Sequence, residues 1–77
     1  MQLDDALPAD VSPDHAERIR EFLGRHGGPG AAPPRSEELD PGVRGWSEVT
    51  AADGYRLRCD WTRSGSREDM RFSELAP

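Results

Sequence analysis

Eight consecutive residues, Tyr55 to Thr62, alternate apolar and polar side chains without a break. Tyr55, Leu57, Cys59 and Trp61 fall on one parity, and Arg56, Arg58, Asp60 and Thr62 on the other. Successive side chains of a strand point to opposite faces, so the pattern specifies a β-strand with one buried face. Met70 and Phe72 alternate with Asp69, Arg71 and Ser73 in the same way. Turn residues separate these runs: Ala51-Ala52-Asp53-Gly54 on one side and Ser64-Gly65-Ser66 on the other. The stretch at about 44–50 is less regular, because Trp46 and Val49 have opposite parity. Either Gly45 marks a bulge or only one of the two faces inward. The pattern predicts a three-stranded antiparallel meander over 43–75, with 54–62 as its central strand. A sheet that small needs something apolar laid over it.

The cover is predicted from the N-terminal half. Ser12 suits an N-cap, Pro13 the first helical position, and Asp14 the positive end of a helix dipole. Ala16, Ile19, Phe22, Leu23 and His26 then recur on one stripe at helical spacing. Asp14 with Arg18 and Glu21 with Arg25 are i,i+4 pairs in the favourable order. Gly27-Gly28-Pro29 supplies a stop. The helix is expected over 13–26. Residues 27–42 are half glycine and proline, the composition of a loop, with a short turn at Ser36–Leu39. The fold expected is therefore α+β: an N-terminal amphipathic helix on a three-stranded antiparallel meander. Residues 1–11 form an acidic flexible start, and 12–77 a single small domain.

Composition narrows the function. No apolar run approaches the roughly 18 residues of a membrane span, and Met1-Gln2-Leu3-Asp4-Asp5 has neither the basic start nor the apolar stretch of a secretory signal. The expected setting is a bacterial cytoplasm. The basic residues are ten arginines with no lysine, and asparagine is absent. A GC-rich genome produces that bias, which weakens arginine content as a sign of phosphate recognition. The formal net charge is −5. Residues 1–42 carry nine acids against four arginines, and residues 43–77 six against six.

No catalytic constellation emerges, and neither a cofactor nor a metal is expected. His15 and His26 share a helix face but lie about 16 Å apart along it, too far to hold one ion. Each reads as a helix-end histidine, with His26 near the negative end favouring its charged form. Cys59 shares its parity with Leu57 and Trp61 and reads as a small buried hydrophobe. The Gly-Gly-Pro-Gly stretch follows a helix where a phosphate loop precedes one.

The polar face of the predicted sheet carries the candidate binding residues. Arg56 and Arg58 alternate on the central strand, Arg71 faces the same way on its neighbour, and Arg63 and Arg67 sit in the turn between. Trp46 or Trp61 at an edge adds a stacking surface. Such a face suits an acidic protein, phosphate or single-stranded nucleic acid. Net negative charge disfavours the last of these.

Leu57-Arg58-Cys59-Asp60-Trp61, a glycine turn, Glu68, Phe72 and Leu75 resemble the C-terminal part of the YodC-like family of small bacterial proteins. The resemblance covers about 30 residues and implies an SH3-like β fold without an assigned activity. The chain lacks that family's basic first strand and its Ser-Gly-Gly-Pro turn, and it adds an acidic helix.

The expectation is a small non-catalytic accessory or regulatory protein that works through protein contacts, with a partner protein or as a homodimer. Two alternatives stand beside it. One is a nucleic-acid-associated regulator using the arginine face, and the other an acidic inhibitor that imitates nucleic-acid charge with residues 4–21.

Overall fold

The computed structural model describes residues 11–77. The expected acidic start at 1–11 lies outside the described residues, apart from a half-buried Val11. One helix, α1 (Pro13–Arg25), precedes four strands, β1 (Arg35–Asp40), β2 (Arg44–Thr50), β3 (Arg56–Ser64) and β4 (Arg67–Leu75).

Helix α1 begins where its signals place it. The Ser12 hydroxyl accepts a hydrogen bond from the His15 N–H at 3.2 Å, and Pro13 occupies the first turn. His26 is the C-cap, its N–H bonded to the carbonyls of Phe22 and Leu23. Gly27 follows at φ +84°, and the Gly28 N–H closes on Leu23 O at 2.7 Å. The buried stripe is His15, Ala16, Ile19, Phe22 and Leu23. Ile19, Phe22 and Leu23 meet Val49, Ala51 and Leu57 of the sheet in one core, with Tyr55 and Phe72 packed against it.

The sheet has four antiparallel strands in the order β1-β2-β3-β4, which corrects the expected three. The added strand, β1, occupies Arg35-Ser36-Glu37-Glu38-Leu39-Asp40, inside the stretch expected to be a loop with a short turn. Every residue of β1 is exposed. It is held by its ladder to β2 and buries no face, so it lacks the apolar alternation that betrays a strand. The Gly- and Pro-rich connection is accordingly shorter. Part of it is itself tied to the sheet: the Gly30 N–H bonds Thr50 O at 2.8 Å, and the Ala52 N–H bonds Gly28 O at 2.8 Å. A Cβ at Gly30 would stand 2.6 Å from Ala51 O, so this approach requires glycine.

The register settles the parity of β2. The strand pairs residue for residue with β3 from Arg44↔Thr62 to Thr50↔Arg56, and the irregularity falls in β1, between Glu38 and Asp40. Val49 faces the helix at 3% exposure, while Trp46 shares the opposite face with its cross-strand partner Asp60. Gly45 meets a different need from a bulge. A Cβ there would stand 2.6 Å from the Trp61 ring and 2.5 Å from Glu37 O.

Candidate functional site

Cross-strand partners share a face, so the register assigns each candidate residue to a side. The face away from α1 carries three mixed rows: Arg35, Glu48, Arg58 and Ser73; Glu37, Trp46, Asp60 and Arg71; Arg44, Thr62 and Asp69. Arg56 lies on the same face beside Glu48. Five of the seven candidate residues, Trp46, Arg56, Arg58, Arg67 and Arg71, therefore belong to this outer side. Trp61 and Arg63 do not. They share the helix side, where the Arg63 guanidinium lies 4.6 Å from the Trp61 ring centroid and bonds Glu68 at 2.6 Å. Arg63 and Arg67 also belong to strands, because the β3–β4 turn is only Gly65 and Ser66.

Trp46 is the centre of the outer face. The Arg58 guanidinium lies 4.8 Å from its ring centroid and that of Arg35 5.9 Å, both within cation–π range. Arg58 also bonds Asp60 through Nε at 3.2 Å, a contact that raises its pKa further above the usual arginine value. Arg56 bonds Glu48, whose carboxylate is almost fully covered, at 3.2 Å. Arg67 lies 3.4 Å from Asp69. The guanidinium groups of Arg56, Arg58 and Arg67 are thus answered by acids of the face itself. Arg71 and Arg44 have no ion-pair partner among the described residues, and Arg35 makes only its contact with the Trp46 ring. Arg35 and Glu37 were invisible to periodicity, since β1 reads as polar throughout, and Glu48 carries no sequence sign of burial.

On the other face, a cavity of about 310 Å³ opens between the start of α1 and the sheet, lined among others by Ser12, His15, Ser47, Trp61, Glu68 and Met70. His15 is buried at 6% exposure, and its Nε2 lies 3.5 Å from Ser47 Oγ, at the weak limit of a hydrogen bond. Burial lowers the His15 pKa, against a smaller opposing pull from Glu68, and so favours the neutral ring. Its packing partner is Phe72, edge-on at 5.5 Å between centroids. Cys59, beside Ser47 in the register, is 1% exposed, and burial pushes its thiol up to about 11. The thiol is therefore protonated at neutral pH and a poor nucleophile.

His26 caps the helix and also joins it to the sheet. Its Nδ1 lies 2.7 Å from Asp53 Oδ2 and its Nε2 3.1 Å from Glu74 Oε1. The ring stacks on Tyr55, 4.7 Å between centroids at 24°, and leans on Phe22. Arg25 and Arg18 reach the same Glu74 carboxylate at 3.1 and 3.4 Å. Among the described residues no group of three or more His, Cys, Asp or Glu converges to hold a metal ion. No described helix is long and apolar enough to cross a membrane.

Comparison of the chain with protein-family models, with curated proteins and with solved structures finds no match.

Proposed function

We propose that the chain is a small non-catalytic protein that acts through protein contacts, with the outer sheet face around Trp46 as its contact surface. The observation behind this reading is the half-buried Trp46 with two guanidinium groups over its ring, on the face that α1 leaves uncovered. Tryptophan and arginine are the residue types that dominate binding energy at protein interfaces, where a rigid aromatic fills a pocket and a planar cation pairs at its rim. The mixed rows favour a partner of mixed charge. A polyanion would have to displace Glu48, Asp60 and Asp69 from the arginines they already serve, which weighs against the nucleic-acid reading.

The test is capture by the immobilised full chain from cells that express it, run in parallel with Trp46→Ala and with Glu21→Ala on the exposed side of α1. A protein retained by the wild type and by E21A but lost with W46A supports the reading. Retention that ignores W46A, or salt-sensitive oligonucleotide binding in its place, overturns it.

A further inference from the structure

We infer that β4 pairs edge to edge with β4 of a second copy, antiparallel about a two-fold axis at Met70, to make one continuous eight-stranded sheet. The two ends of the sheet differ. The β1 end is six residues long and interrupted by the irregularity between Glu38 and Asp40, the kind of feature that blocks strand addition. The β4 end is nine residues long, regular in its register with β3, and receives no backbone hydrogen bond from another described segment. An unpaired edge of that length is a template for another strand. Since only one end invites addition, the assembly closes as a dimer and does not grow into a filament.

Charge selects the register. In a two-fold antiparallel pair a residue faces one of its own parity, so the axis passes through a residue. An axis at Asp69 sets Asp against Asp, and one at Arg71 sets Arg against Arg. An axis at Met70 sets methionine against methionine and places Asp69 opposite the partner's Arg71 on both sides of it. Arg71, like Arg35 and Arg44, is a cation of the outer face that makes no ion pair among the described residues. Among the described residues Asp69 is held only by a loose 3.4 Å contact to Arg67, both side chains mostly exposed. Two charges of opposite sign, one residue either side of an apolar centre, are self-complementary. The arrangement keeps both helices on one side and both Trp46 faces on the other, so it stands whether or not Trp46 binds a partner.

Sedimentation of the full chain at micromolar concentration tests it. The wild type sediments as a dimer, and Asp69→Arg or Arg71→Asp each weakens dimerisation about tenfold or more, by turning two attractive cross-strand pairs repulsive. The double reversal D69R/R71D restores it. Oxidation of Met70→Cys gives a covalent dimer, whereas the wild type, with Cys59 buried, does not. A monomeric wild type overturns the inference, as does a dimer indifferent to both single reversals or a Met70→Cys variant that fails to cross-link.

Discussion

Nδ1 of His26 lies 2.7 Å from Oδ2 of Asp53, and this one contact joins the end of α1 to the turn between β2 and β3. Glu74 on β4 takes the other ring nitrogen, so three parts of the chain meet at a single imidazole. The Tyr55 N–H holds Asp53 in place by bonding its Oδ1 at 3.0 Å. A ring between two carboxylates is stabilised as the imidazolium, both nitrogens donating. The hydrogen bond to Asp53 is the main cause of the raised His26 pKa, acting against desolvation and helped by Glu74.

The pH dependence of stability follows from that geometry. The folded pKa of His26 lies above its ordinary 6.5, so its contribution is complete below that value and is lost as pH rises through the folded pKa. The carboxylates act in the opposite sense. Desolvation pushes Asp53 up, but the bonds from His26 and Tyr55 together hold it below its ordinary 3.8. The Arg25 bond, with His26 and Arg18, holds Glu74 below its ordinary 4.5. Their contributions are complete above those ordinary values and are lost as pH falls through the folded ones. Urea midpoints should therefore be highest between the two limbs. His26→Gln should remove the decline that begins near pH 6.5, leaving the later one above pH 9 that the buried Cys59 thiol imposes. An unchanged alkaline limb in H26Q would show that the clasp contributes nothing.

The parts of this fold that bury an apolar face were legible in the sequence. Ile19, Phe22 and Leu23 mark α1, and Leu57 and Cys59 mark β3, because burial imposes period on them. Strand β1 was not legible: its six residues answer only to backbone pairing, which leaves no side-chain pattern. The same limit divided the candidate site. Parity groups Arg56, Arg58 and Arg71, but the turn that Ser64-Gly65-Ser66 predicts takes in Arg63, which instead continues β3 on the Trp61 side. Arg35 reaches Trp46 only because β1 exists.

Gly45 should not tolerate a side chain. Alanine there would press on the Trp61 ring and on the Glu37 carbonyl, and the carbonyl is backbone within the β1–β2 ladder. Gly45→Ala should cost about 1–3 kcal/mol, the usual range for overpacking. Chemical denaturation measures it, and a variant as stable as the wild type would mean that β1 moves aside freely.

Cys59 should report unfolding. Its thiol is covered in the core side of β3 and raised to about 11, so neutral-pH alkylation requires opening of the sheet. Labelling by iodoacetamide should be slow in buffer and rise in step with the loss of Trp fluorescence signal in urea. Rapid labelling of the native chain would place Cys59 in a part that opens by itself.

The arginines of the outer face separate a protein partner from a nucleic acid by their salt dependence. Each phosphate neutralised on a single strand adds about 0.7 to the log–log salt slope. A face that bound phosphate through Arg56, Arg58 and Arg71 would lose up to three such increments in the triple change to Gln. Two of these arginines already bond acids of the same face, Arg56 to Glu48 and Arg58 to Asp60. A phosphate would have to break those pairs and approach the freed carboxylates. The wild type should therefore show no tight binding to a single-stranded oligonucleotide at physiological ionic strength. The triple change should instead slow association with a captured protein, since charges at the rim of an interface act mainly on encounter rate. Oligonucleotide binding that is tight in the wild type, and whose salt slope flattens in the triple variant, would transfer the face to nucleic acid.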